Sequence, residues 1–403
     1  MRVLLTHKFH RLTGGAEVFY FDVARVLKKF GHEVGYFSTS HPDNLTTGDF
    51  ESFVPAPSYD IGGLITRIAG SRDIFYSASN RDAMLKAIDD FKPDVLHAFA
   101  VHVHLTPSIF EAAKMRGVPV LVSCNDYKHI CPNYKLYHSG RLCEDCKGGH
   151  FLRAVKNKCC KDSLIFSVAS SIEAYVHEHL GVYEKYVNRF LFASEFMLDK
   201  TKEFWADKSV DYGVLKNPFE ASDYDPVYSG EYALYFGRII DEKGVDRIVE
   251  AAKKIPIPVK IIGDGPDLEK LQKEASRFGL SQIEFLGPMW GDELKNVLYD
   301  ARFVIVPSLW HENFPYVIFQ AFAAGKPVIG SLRGGIPELI GDDRGLLFDP
   351  DKADGLADCM RGLWEDTDTC ERMGKIARDY VVKGFSDDVF YESLMSNYQA
   401  VLT

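Results

Sequence analysis

Arg238, Lys243 and Glu312 have the types and spacing to hold a phosphorylated, hydroxyl-bearing ligand. The two cations lie in Gly237-Arg238-Ile239-Ile240-Asp241-Glu242-Lys243-Gly244, directly after the apolar run Tyr232–Phe236. Gly237 lets the backbone turn, the arginine offers a planar fork to two oxygens, and the lysine adds a mobile point charge, so the pair can grip one diphosphate. Glu312 lies in PSLWHENFPYVIFQAF, between the apolar run Arg302–Val306 and a helix starting near Pro315, a residue suited to a first helical turn. Its carboxylate can accept from ligand hydroxyls while the amides of Asn313 and Phe314 hold an anion. A second glycine turn, Arg333-Gly334-Gly335-Ile336-Pro337-Glu338, opens a further helix with free N–H groups.

Such groups need two strand ends and two helix N-termini brought to one edge of a sheet. In an open parallel sheet, ligands bind in the crevice beyond the carboxyl ends of the strands, and helix N-termini attract phosphates. The second half has the required alternation, with strands expected at Tyr232–Phe236, Pro258–Ile262, Gln282–Leu286, Arg302–Val306, Pro327–Gly330 and Gly345–Phe348. The first half alternates likewise, with strands at Val3–Thr6, Glu33–Thr39, Asp94–Phe99, Val118–Cys124 and Arg189–Ser194. Gly14-Gly15, at the first strand-to-helix turn, permits close approach of backbone to a ligand. Residues 40–92 read as loops and helices beside the cleft. The chain changes domain around Tyr212 to Asp225, where Val214–Pro218 reads as a short strand ending in a turn. The expected division is 1–211, 212–384 and a final amphipathic helix in 385–403. The fold class is α/β, with two Rossmann-like domains.

The composition is that of a soluble globular protein, with 46% apolar and 26% charged residues and a net charge of −10. No run of about 18 apolar residues occurs, and MRVLLTHKF leads straight into a strand. A cytoplasmic location without membrane spans is therefore expected. Lys128 to Lys161 departs from the acidic average, with eight basic and two acidic residues. Such a patch could face anionic lipid headgroups, which makes peripheral contact with the inner membrane face a second expectation, or a phosphate-bearing acceptor. The same stretch carries Cys131-x11-Cys143-x2-Cys146-x12-Cys159-Cys160. A Cys-x2-Cys knuckle with outer cysteines fits one structural zinc on Cys131, Cys143, Cys146 and Cys159 or Cys160. Free thiols in a basic flap are the alternative.

The Glu-x7 spacing from Glu312, its flanking Pro-Ser, the Gly-Gly-Ile-Pro-Glu turn and the Gly-Arg-x4-Lys-Gly loop together resemble glycosyltransferase family 4, the retaining nucleotide-sugar transferases. The resemblance covers essentially the whole chain, strongest over 212–350. It implies a GT-B fold with two Rossmann-like domains facing a central cleft, no metal or other cofactor for catalysis, and a UDP- or GDP-type nucleotide sugar as co-substrate. It implies a glycan or lipid-linked saccharide acceptor in cell-surface polysaccharide synthesis, and no nucleic-acid partner. Arg238 and Lys243 then clamp the diphosphate and Glu312 fixes the sugar. Gly263, Gly265 and Gly287 end loops that wall the nucleobase, and Gly14-Gly15 lies across from the diphosphate. The family's second glutamate, which holds the ribose, falls here on Gln320, which accepts and donates without charge assistance. A family histidine that contacts the transferred sugar falls on Phe99, leaving His102 or His104 to substitute. Asp126, at a strand end, could orient or deprotonate the acceptor hydroxyl. The final helix is expected to cross back to the first domain. Three rivals are a GT-B sugar epimerase, a non-catalytic sugar-nucleotide module, and a dinucleotide oxidoreductase. The last lacks its Gly-x-Gly-x-x-Gly after the first strand.

Overall fold

A computed structural model of the chain describes residues 1–57 and 75–402. In chain order the strands are β1 (Arg2–Thr6), β2 (Glu33–Thr39), β3 (Phe50–Val54), β4 (Val95–Ala98), β5 (Val120–Cys124), β6 (Tyr137–His138), β7 (Arg141–Leu142), β8 (Arg189–Phe192) and β9 (Tyr212–Val214). They continue with β10 (Tyr232–Phe236), β11 (Val259–Ile262), β12 (Ile283–Gly287), β13 (Ala301–Val306), β14 (Val328–Ser331) and β15 (Gly345–Phe348). The chain forms two compact units: Met1–Leu136, Glu144–Pro218 and Phe390–Thr403 make unit 1, and Tyr137–Cys143 with Phe219–Val389 make unit 2.

Unit 1 holds a parallel sheet in the order β3-β2-β1-β4-β5-β8-β9. Val3, Leu4 and Leu5 of β1 are fully buried, because helices cover both faces of a parallel sheet and its central strands must be apolar throughout. The stretch expected to hold loops and helices also contains a strand. Strand β3 is a half-buried edge strand, FESFV, too short and polar to announce itself. The helix Ala78–Phe91 buries Met84, Ala87, Ile88 and Phe91, a helical spacing diluted by the polar residues between them, and Ser77 caps it by accepting from the Asn80 amide. Residues 58–74 of that stretch lie outside the described residues. The short strand expected at Val214–Pro218 is instead β9, two residues earlier. From Phe390 onward the last helix belongs to unit 1: Phe390, Leu394 and Tyr398 join its core, and the Tyr398 hydroxyl lies 2.9 Å from His97 Nδ1.

Unit 2 holds six parallel strands in the order β12-β11-β10-β13-β14-β15. The strand order reverses between β10 and β13, so the connections leave in opposite directions there and open a crevice beyond the carboxyl ends. Tyr137–Cys143, a β6–β7 hairpin within the cysteine-bearing stretch, packs with this unit, where the Tyr137 hydroxyl donates to Asp241 Oδ2 at 2.8 Å. No helix of the described residues is long and apolar enough to cross a membrane.

Candidate functional site

The loops after β10 and β13 meet at the reversal point of unit 2. Gly244 follows Lys243 in the left-handed region, at a φ of +67°, and a Cβ there would lie 2.1 Å from the Pro307 carbonyl oxygen. Only glycine lets the β10 loop lie this close to the end of β13. That approach brings Lys243 Nζ within 2.5 Å of Glu312 Oε1. Ser308 Oγ donates to the same carboxylate oxygen at 2.7 Å, and Ser331 Oγ, at the end of β14, donates to the Ser308 carbonyl at 2.7 Å. Burial pushes the Glu312 carboxyl up, but the Lys243 charge and hydrogen bond, with the Ser308 hydroxyl, outweigh it and hold it below its ordinary value. Glu312 is thus a buried anion and Lys243 a part-exposed cation resting 5.6 Å from the Trp310 ring centroid.

The glycine turn after β14 closes on the backbone of Glu312. Gly335 donates its amide to the Glu312 carbonyl at 2.8 Å, and Gly334 donates to His311 Nδ1 at 3.2 Å. A Cβ on Gly334, at a φ of +59°, would lie 2.0 Å from the Glu312 carbonyl oxygen, so no side chain fits between the turn and the loop. Arg238 is exposed, and Tyr235 donates its hydroxyl to the Arg238 carbonyl at 2.7 Å, setting the turn that follows Gly237. The adjoining loops are knit by backbone: Ile239 N donates to Asp264 O at 2.8 Å and Gly263 N to Gly287 O at 2.9 Å. Gly237, Gly263, Gly265 and Gly287 therefore line one edge of the sheet, at the carboxyl ends of β10, β11 and β12. Asn313 is half-buried beside Glu312. Phe314 turns its ring inward, stacked 4.5 Å from Phe319, so it offers a ligand its backbone rather than its ring. Gln320 donates to the Tyr224 hydroxyl at 3.2 Å. Ser308, Trp310, His311, Tyr224 and Tyr137 are neighbours that the motif reading did not single out; the only signal for any of them was the Pro-Ser flank of Glu312.

In unit 1 the strand order reverses between β1 and β4, and the expected residues follow the carboxyl ends of its strands. Gly14 and Gly15 open the helix Gly15–Lys29, whose first turn carries the buried Glu17. Glu17 Oε1 lies 3.6 Å from Nε2 of the equally buried His7, a pair not anticipated from the sequence; burial holds the His7 imidazole down at about 3, hence neutral. His104 is half-buried with its ring edge-on to Phe9 at 5.2 Å. His102 instead turns its Nδ1 to the Tyr183 hydroxyl at 3.1 Å. Asp126 accepts from the Lys128 amide at 2.9 Å, and burial raises its carboxyl above the ordinary range.

Two family models match, one for glycosyl transferases group 1 over residues 225–380 and one for Glycosyltransferase Family 4 over residues 13–188. The chain belongs to glycosyltransferase family 4. Among curated relatives, the sulfoquinovosyl transferase SQD2 of Arabidopsis thaliana is 26% identical over 314 residues, 74% of this chain and 55% of that protein. The O-antigen chain mannosyltransferase C of Escherichia coli is 29% identical over 175 residues, 42% of this chain and 47% of its own. The chain thus spans about half the length of these curated relatives. Among solved structures, a sucrose-phosphate synthase from Thermosynechococcus elongatus superposes with a TM-score of 0.71 at 16% identity, over 99% of this chain and 98% of that one. Anabaena Alr3699/HepE in complex with UDP gives 0.70 at 17%, over 99% and 100%. These likenesses establish the GT-B fold.

The cysteines of this family 4 chain do not form the expected zinc set. Among the described residues, no group of three or more His, Cys, Asp or Glu is arranged to hold a metal ion. Cys143 lies with the β6–β7 hairpin in unit 2, while Cys131, Cys146, Cys159 and Cys160 belong to unit 1. Cys131 donates to Asn133 Oδ1 at 3.0 Å and Cys159 to the Ala154 carbonyl at 3.6 Å, bonds that a protonated thiol makes and a metal-bound thiolate does not. The basic stretch is also less open than its composition implies. Lys128, its side chain 11% exposed, pairs with Glu173 at 2.7 Å, and Lys147 pairs with Glu203.

Proposed function

We propose that the protein is a retaining, metal-independent glycosyltransferase that moves a sugar from a UDP- or GDP-type nucleotide sugar to a glycan or lipid-linked acceptor in cell-surface polysaccharide synthesis. The observation that carries this reading is the Lys243–Glu312 pair at the reversal point of unit 2, with Arg238 exposed in the same loop after β10. A ligand diphosphate can draw Lys243 away from Glu312. Arg238 and Lys243 then neutralise the charge that grows on the leaving diphosphate, and the freed Glu312 carboxylate accepts from sugar hydroxyls. Gln320 and Tyr224 together offer the ribose a donor and acceptors. In unit 1, Asp126, with its raised carboxyl, is assigned to the acceptor hydroxyl as general base. His104 and the Gly14-Gly15 turn are assigned to binding. Support for the donor class comes from HepE, solved with UDP and with UDP-glucose. Support for the acceptor class comes from relatives named for O-antigen and colanic acid synthesis.

The test is product analysis with UDP- and GDP-sugars, with and without saccharide acceptors, in EDTA. The expected result is transfer with retention at the anomeric carbon. Free sugar released equally without acceptor would make the protein an epimerase or hydrolase. Nucleotide binding with no turnover would make it a binding module.

A further inference from the structure

The helix Leu164–Leu180 of unit 1 is inverted in polarity. Its buried positions include Ser167, Ser171, Glu173 and His177, while Leu164, Ile165, Ile172 and Tyr175 are exposed. Three of the inward polar side chains have named partners. Glu173 Oε2 binds Lys128 at 2.7 Å, His177 Nε2 lies 2.8 Å from the Phe75 carbonyl oxygen, and Ser171 donates to the Phe151 carbonyl at 2.9 Å. The outward apolar residues recur at helical spacing and form one stripe. A surface helix of a soluble protein turns that stripe to the core.

A short helix, Leu152–Asn157, runs beside this face. Its Leu152 is 66% exposed, and the Leu152 amide donates to the Tyr175 hydroxyl at 3.3 Å, which extends the apolar surface. Cations rim it. Between Leu152 and Ile165 the chain has Arg153, Lys156, Lys158 and Lys161 against the single carboxylate of Asp162. All four cations are exposed, and none has an ion-pair partner among the described residues. Lys161 lies 4.5 Å over the Phe166 ring, which ties the charged rim to the apolar stripe.

We propose that this face docks on an anionic lipid bilayer. The apolar stripe enters the interface and the four cations engage the headgroups, as an interfacial helix does without spanning. Charge complementarity selects the occupant, since an apolar stripe alone would suit a protein partner equally well. The proposal does not depend on the transfer reading, because binding is measured without donor or acceptor.

The test is flotation of the full chain with vesicles of phosphatidylcholine, with and without phosphatidylglycerol. The expected result is binding to the anionic vesicles only, weakened by salt. At roughly fivefold per cation near the surface, Lys156→Glu/Lys158→Glu should lower partitioning by about 25-fold or more. Leu164→Ser/Ile165→Ser should also reduce it, with unchanged circular dichroism and an unchanged thermal midpoint. Absence of binding to anionic vesicles, or equal binding by the parent and both variants, overturns the proposal.

Discussion

Replacing Lys243 by methionine should destabilise unit 2 in a manner that depends on pH. The substitution keeps the aliphatic stem and removes the ammonium 2.5 Å from Glu312 Oε1, leaving a carboxylate whose side chain is 7% exposed with the Ser308 hydroxyl at 2.7 Å. Breaking one partner of a buried pair costs about 3–5 kcal/mol. Lys243 is itself 22% exposed, so the lower end, about 3 kcal/mol, applies, or roughly 6–12 °C in the midpoint of a unit this size. In the parent the Glu312 carboxyl is held below its ordinary value, so its contribution is present at neutral pH and lost as pH falls. In Lys243→Met, burial without the cation raises that carboxyl. The stability of its protonated form is then present at low pH and lost as pH rises. The deficit should therefore be largest near neutrality and shrink toward the ordinary carboxyl range of about 4.3. Adding Glu312→Gln should rescue most of it at neutral pH, because a neutral amide still accepts from Ser308 and has no charge to bury. Thermal unfolding read by tryptophan emission suits the purpose, since Trp310 lies beside Lys243. If Lys243→Met unfolded at the parent midpoint at neutral pH, or the second substitution gave no rescue, the coupling argued here would be wrong.

Arg238→Ala should leave the midpoint within the small range of surface substitutions, about 0.5 kcal/mol, because the residue is exposed. It should lower turnover by about 10²–10³, as lost transition-state donors do; parent-like turnover would remove Arg238 from the site. Gln320→Glu, next to the Tyr224 hydroxyl, should tighten nucleoside-diphosphate binding by about 1 kcal/mol, the gain of a charge-assisted bond. Calorimetry showing no change would mean that Gln320 does not face the ribose. Burial holds His7, His97 and His129 down at about 3, so the stability each lends is full above its unfolded value of about 6.5 and is lost as pH falls from there. Urea unfolding should show unit 1 losing up to about 1.4 kcal/mol per pH unit for each histidine in that window, and His97→Gln should flatten the slope by one proton.

Much of the frame of unit 2 was legible from the sequence because it is local. Runs such as Tyr232–Phe236 and Gly345–Phe348 are apolar, β-rich and bounded by turn residues, so their ends read to within a residue or two. The glycine turn at Gly334 was equally legible, since a left-handed backbone pressed against Glu312 admits no other residue. Membership of family 4 was carried by these same loops, whose spacing survives in one dimension. In unit 1, the strand FESFV escaped because it is short, polar and only half-buried.

What only the tertiary structure decided concerns partners far apart in the chain. The ion pair between Lys243 and Glu312 joins residues 69 positions apart, and it exists because the sheet places β13 beside β10, an order no local pattern encodes. The same holds for the β6–β7 hairpin, which belongs to unit 2 although the sequence around it belongs to unit 1. It holds too for the helix Leu164–Leu180, which turns Ser167, Ser171, Glu173 and His177 inward and leaves Leu164, Ile165, Ile172 and Tyr175 exposed. Facing inward, Glu173 meets Lys128 at 2.7 Å, 45 residues earlier in the chain, and a cation so little exposed needs a nearby anion.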